Sequence, residues 1–267
     1  MTTTTHDAAA AAILLPQPPV GITRDEKHRY SWNGGPKVPG VTSVMKALDK
    51  SGPLVGWAKR ETAACAVRNL PLLTQMVADG GPVAAVEWLK RTPDYQRDTA
   101  AELGTLVHAL AEAISRGQEI EVDSTTEPFI TALLRWRAVY QPKVLNAEYM
   151  VYSEAHRYGG TADMAARING EVWLIDIKTG KGAYAETALQ LAGLHYADWA
   201  GRTDDPKKYQ LPRATRFGVL HVRPEGAELI PYDVTPDEFQ AFVSCRYLTE
   251  WLELRAPVIK IARKEAA

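Results

Sequence analysis

Hydrophobic and polar positions divide the chain into two textures. In the first half, apolar residues fall in helical patterns interrupted by prolines. These predict helices over 41–49, 54–68, 82–90, 99–116 and 127–140, with Pro53, Pro71, Pro82, Pro93 and Pro128 at or near the breaks. From Val144 the pattern shortens to that of strands. Strands are predicted at 144–153, 161–168 and 171–177, then a helix over 184–200 and a basic loop. "RFGVLHV" and "AELIPYDV" read as a further strand pair, and 237–255 as a closing helix. Upstream, "HRYSWNGGPKVPGVTSV" reads as a short strand, a Gly-rich turn and a helix entry near Val41. Residues 1–21 have an apolar patch without a basic segment ahead of it, so they read as a disordered tail and not a signal peptide.

Helices, antiparallel strands, a helix, more strands and a helix define an α/β (α+β) protein. Its expected centre is a mixed sheet flanked by helices. The expected division is a tail (1–21), a mainly helical region (22–143) and a core (144–267), the last two forming one continuous domain.

One hairpin can be laid out by counting. Asn169-Gly170 between two β-prone runs signals a two-residue type I′ turn. Ile168 then faces Glu171, and the count continues through Arg167/Val172, Ala166/Trp173, Ala165/Leu174 and Met164/Ile175. The next pair is Asp163 opposite Asp176, a non-hydrogen-bonded pair with Cα atoms roughly 4.5 Å apart. Lys178 falls on the same face as Asp176. Two carboxylates opposed in a sheet repel, and a divalent cation with Lys178 beside it would offset that repulsion.

Composition narrows the classes. A 267-residue chain that is 46% hydrophobic buries a full core. Its net charge of −1 carries no overall nucleic-acid signature, although 201–223 holds Arg202, Lys207, Lys208, Arg213, Arg216 and Arg223 against Asp204 and Asp205. That run is either a solvated loop or a phosphate-contacting surface. Two distant cysteines, Cys65 and Cys245, argue against a zinc ribbon, an iron–sulfur cluster or a disulfide framework, and for a reducing, cytoplasmic setting. No stretch is apolar for long enough to span a membrane.

Phosphodiester hydrolysis needs a nucleophile at neutral pH and compensation of phosphate charge. Mg²⁺ or Mn²⁺ on carboxylates lowers the pKa of a bound water and stabilises developing charge, and a neighbouring lysine adds to both. Asp163, Asp176 and Lys178 supply that minimum set.

Taken in order, the motifs resemble the PD-(D/E)XK nuclease superfamily in its RecB-type branch, which includes phage-encoded exonucleases. The resemblance rests on "GTLVH" with His108, "NAEYMVYSE" with Glu148, "GGTAD" with Asp163, "LIDIKTG" with Asp176 and Lys178, and "ETALQLAGLHYADW" with Gln190. It spans roughly 38–199, and includes the segment beginning "PGVTSVMKALDK".

The resemblance implies a restriction-endonuclease-like core and a metal-dependent deoxyribonuclease, an exonuclease in preference to an endonuclease. It implies a role in phage-type recombination, replication or repair. The metal ligands it implies are His108, Asp163, Asp176 and the Ile177 carbonyl, with Asp163, Asp176, Lys178 and Gln190 acting in catalysis. DNA, single- or double-stranded, is the implied partner, alongside a recombinase or single-strand-binding protein and further copies of the chain.

Several readings stay open at this level. His108 is a ligand or a packing residue, although Gly104, four residues earlier on the same helical face, would allow close approach to the sheet. Glu148 is a ligand, a supporting group or a strand-face charge. Glu112 reads as solvent-facing or paired with a basic residue, and Lys181 as an exposed loop lysine or a phosphate contact. Leu194 stands where the family pattern has tyrosine, and Tyr196 is not an assured substitute. The alternative to an enzyme is an inactive nuclease-like module that binds DNA or assembles with it.

Overall fold

The computed structural model describes residues 20–265, with side chains described to Glu253. The expected tail lies outside the described residues except for Val20 and Gly21. Three short strands come first: β1 (Ile22–Arg24), β2 (Arg29–Trp32) and β3 (Val38–Pro39), forming a small antiparallel sheet. The region expected to be mainly helical thus opens with three short strands, where the sequence pattern indicates one. These strands bury Ile22, Tyr30 and Val38 against Tyr152 and Trp199 of the core.

Helices α1 (Val41–Val44) and α2 (Ser51–Arg68) follow, and then α3 (Leu70–Ser115), broken at Gly81, where φ is 76°. Only glycine takes that conformation without strain, and Pro82 restarts the helix as its first residue. The two helices predicted over 82–90 and 99–116 are thus one continuous segment, and Pro93 does not end it. α4 (Glu127–Tyr140) begins where the Asp123 carboxylate accepts the amides of Thr125 and Thr126, and ends at Gln141 in the left-handed region.

The main sheet has seven strands. β4 (Lys143–Ser153), β5 (Tyr158–Ile168) and β6 (Glu171–Lys178) are consecutive antiparallel neighbours; α5 (Thr187–His195) follows. Then come β7 (Trp199–Arg202), β8 (Asp205–Tyr209), β9 (Arg216–Arg223), β10 (Gly226–Tyr232) and α6 (Pro236–Glu265). The spatial order is β10-β9-β6-β5-β4-β7-β8, and only β6 and β9 run parallel. The mixed α/β architecture expected from the pattern is present. The basic stretch is not a plain loop, because β7 and β8 form a hairpin within it, and the helix predicted to residue 200 stops at His195.

Helices cover both faces. Val41, Val44, Leu191, Leu194 and Phe242 pack with Leu174 and Tyr158 on one side. Val107, Ala111, Ile130, Leu133 and Trp136 pack with Met164, Ile175 and Leu220 on the other. On α3 the buried positions 107 and 111, with partly buried 103, 110 and 114, trace one helical stripe. That stripe lays α3 across the sheet and brings His108 to the far end of the hairpin. Among the described residues, no helix is long and apolar enough to cross a membrane.

Candidate active site

The β5–β6 register follows the count from the turn through five pairs, Ile168↔Glu171 to Met164↔Ile175. Asn169 and Gly170 both have positive φ, 50° and 86°, as a type I′ turn requires. The sixth pair does not form. The Asp163 carboxylate instead accepts the backbone N–H of Ile177 through Oδ2 at 2.7 Å. A side-chain acceptor takes the place of a ladder carbonyl, so the two strands part just where both aspartates lie. Asp163 and Asp176 remain near enough for their charges to repel, and that repulsion adds to burial in raising the Asp176 pKa.

The carboxylate directly across from Asp163 comes from β4. Ala147 pairs with Met164 and Tyr149 with Ala162, which places Glu148 opposite Asp163. Glu148 has φ of 46°, the left-handed region, inside a strand. Ala162 packs in one core cluster and Met164 in the other, so the regular alternation of faces also breaks at Asp163. Non-glycine residues in such conformations cost on the order of 1–3 kcal/mol and cluster at functional sites.

His108 completes this group. Its Nδ1 lies 3.6 Å from Asp163 Oδ2. One ligand atom each from His108, Glu148 and Asp163 lies within 4.8 Å of the others. The approach of α3 depends on Gly104, where an added Cβ would stand 3.1 Å from Thr179 Oγ1, just past the end of β6. The close approach expected at Gly104 is therefore present.

Asp176 and Lys178 occupy the adjoining position. Asp176 is 2% exposed. Lys178 Nζ is 3.0 Å from its Oδ1 and 2.8 Å from its Oδ2, and Gln190 of α5 donates to Oδ1 at 3.0 Å. The contact at Oδ2 lacks hydrogen-bond geometry, leaving that buried oxygen without a directed donor. Asp176 thus stands beside the three-residue group and not within it. Of the residues expected together, the structure joins His108, Glu148 and Asp163, and separately Asp176, Lys178 and Gln190. Ile177 contributes its amide through Asp163, and its side chain is buried in the core.

The electrostatics follow from burial and crowding. Burial, then the charges of Asp163 and Glu112, push the Glu148 carboxyl up to about 7. Burial and the Asp163 charge raise Asp176 as well, while Lys178 works against the shift. Burial alone would lower the Lys178 ammonium, but the Asp176 and Asp163 carboxylates carry it upward overall. This excess of negative charge is what a divalent cation relieves. The carboxylate oxygens of Glu148 and Asp163 suit Mg²⁺ or Mn²⁺, and the undirected Asp176 Oδ2 fits the same purpose. The residues present therefore fit the metal expected for this site.

Other expectations resolve individually. Glu112 pairs with Arg116 at 2.6 Å, and Lys181 with Glu61 of α2 at 3.3 Å. Tyr196 packs against His195 and Phe239, and Leu194 is buried in the core. Within the basic stretch, Lys208 pairs with Glu154 and Arg216 with Glu171, while Arg223 donates to the Thr179 and Gly180 carbonyls. Two residues near the site escaped the sequence reading. Tyr149 is raised by burial and by Asp163, and Tyr232, whose hydroxyl donates to the Tyr184 carbonyl, is raised by burial and then by the Asp176 charge, with Lys178 opposing. Only the position of Tyr149 beside Glu148 pointed to either.

No protein-family model matches the chain, and no curated protein matches it.

Proposed function

We propose that the chain is a metal-dependent deoxyribonuclease of the PD-(D/E)XK superfamily, RecB-type branch, with a restriction-endonuclease-like core. The observation that carries this reading is the meeting of His108, Glu148 and Asp163 within 4.8 Å, beside a buried Asp176 held by Lys178 and Gln190. A purely structural cation site would gain nothing from Lys178, since a fixed ammonium weakens cation binding.

His108, Glu148 and Asp163 would hold Mg²⁺ or Mn²⁺, with Asp176 Oδ2 on its flank. The ion, when bound, supplies Lewis acidity and charge neutralisation at the phosphate. Lys178 donates hydrogen bonds to the attacking water or to a non-bridging phosphate oxygen, where charge develops. Asp176 fixes the position of the Lys178 ammonium, and Gln190 fixes Asp176. Action at DNA ends, in phage-type recombination, replication or repair, is supported by the motif order.

The test is degradation of end-labelled linear DNA and closed circular DNA with Mg²⁺, Mn²⁺ or EDTA, using the wild type, Asp163→Asn and Lys178→Ala. Loss of linear DNA only, abolished by EDTA and by either substitution, supports an exonuclease at this site. Cutting of the circle makes it an endonuclease there. No metal-dependent cleavage of any substrate, single-stranded included, sinks the enzyme reading in favour of an inactive DNA-binding module.

A further inference from the structure

A second feature adjoins the acidic group. A cavity of about 610 Å³ opens beside Glu148 and runs toward β7 and β8, and Arg116, Arg202, Tyr209 and Gln210 contribute to its lining. Its floor is the outer edge of β4. Among the described residues β4 pairs with β7 only at Met150–Tyr152, so Asn146–Tyr149 present main-chain groups on that side with no strand opposite.

Three properties of this cavity are those of a nucleotide site. The Arg202 guanidinium sits over the Tyr209 ring, 5.1 Å from its centroid, and the Tyr209 hydroxyl is tied to Asp205. The ring and guanidinium together form a flat platform, the surface on which unpaired bases stack. Arg116, half exposed and tethered to Glu112 at the end of α3, provides a cation at the mouth nearest Glu148. The open edge of β4 offers alternating donors and acceptors to a base edge. A volume of this size suits a small ligand; a base-paired duplex does not enter it.

We infer that this groove binds the terminal, unpaired nucleotide of a DNA strand, with its base on the Arg202–Tyr209 platform and its phosphate toward Arg116. The inference rests on the nuclease reading, which it deepens by naming a single-stranded end as the substrate form. A free nucleotide shares the chemistry, so the experiment separates the two sources.

The measurement is binding in EDTA, without turnover, of fluorescent oligothymidylate, of deoxythymidine monophosphate and of a blunt duplex. The full chain is compared with Arg202→Ala, Tyr209→Ala, Tyr209→Phe and Lys207→Ala, each first checked by thermal melting. The expected result is that oligothymidylate binds more tightly than the mononucleotide or the blunt duplex. Arg202→Ala and Tyr209→Ala each weaken it about tenfold, the loss of one stacked base. Tyr209→Phe keeps the ring and binds as wild type, and so does Lys207→Ala, which lies outside the groove. Equal binding by all variants overturns the proposal, as does no oligothymidylate binding by the wild type. A blunt duplex bound as tightly as oligothymidylate overturns the strand-end assignment, and a mononucleotide bound as tightly overturns it in favour of a free-nucleotide site. The nuclease reading fails separately, through absence of Mg²⁺- or Mn²⁺-dependent cleavage by protein that still binds in EDTA.

Discussion

Glu148 stands directly opposite Asp163 on neighbouring antiparallel strands, held there with φ of 46°. Opposed carboxylates and a left-handed residue inside a strand each destabilise the sheet. Their coincidence at one cross-strand position concentrates strain at the acidic group.

Replacing Glu148 with glycine should relieve both. The metal-free Glu148→Gly protein is expected to melt above wild type, by roughly 2–4 °C for each kcal/mol recovered, while metal-dependent cleavage falls. Glu148→Gln removes the charge and keeps the strain, so its melting temperature should lie between the two. Scanning calorimetry in EDTA orders the three proteins, and a glycine variant less stable than wild type would contradict the account.

The raised Glu148 carboxyl gives a pH signature. An unfolded glutamate titrates near 4.3, and this one is pushed up to about 7. Between those values the folded protein holds the proton and the unfolded chain does not. Stability of the metal-free protein through this group is therefore greatest below about pH 4 and declines as pH rises toward about 7. Mg²⁺ or Mn²⁺ competes with that proton, so the thermal shift it produces should be larger at pH 8 than at pH 6. Glu148→Gln should flatten the metal-free trend between those values, which parallel melts in EDTA would read.

Asp176 and Lys178 should be coupled energetically. Lys178→Met leaves a carboxylate that is 2% exposed without its cation, a large penalty, whereas adding Asp176→Asn removes the unpaired charge. A double-mutant cycle in urea is expected to give a coupling energy of about 1 kcal/mol or more. Cleavage should fall by roughly 10²–10⁴ in Lys178→Met, the usual scale for a positioned proton-transfer or charge-stabilising group. Near-zero coupling would mean that the pair does not hold together in solution.

Gly104→Ala tests the seating of α3. Alanine favours a helix by about 1 kcal/mol over glycine, yet its Cβ would press on Thr179 Oγ1 at 3.1 Å. The expected outcome is weaker Mn²⁺ binding as His108 is displaced, restored when Thr179→Ala removes the obstructing hydroxyl. Isothermal titration of the single and double variants decides it.

How much of this could be read from the residues differs from element to element. The hairpin register was legible because the Asn169-Gly170 turn and two-residue periodicity are local constraints, and five pairs follow from them. The same counting put Lys178 beside Asp176, and helical spacing set Gly104 one turn before His108. Counting also places Asp163 opposite Asp176, and that pair does not form, because the Asp163 side chain captures the Ile177 amide. The β4 register was hidden, since a bulge between Val144 and Asn146 shifts it by one residue.

By itself the sequence determined the α/β class, the hairpin and the short list of residues able to carry chemistry, since each depends on periodicity or turn stereochemistry within a few residues. Tertiary structure decided which of them meet. His108 reaches Asp163 because a stripe on α3 packs across the sheet, and Gln190 reaches Asp176 because α5 covers the other face. Glu148 rather than Asp176 completes the trio because a bulge and one left-handed residue set its strand. Contacts between residues far apart in the chain depend on packing angles and register shifts, which no local pattern encodes.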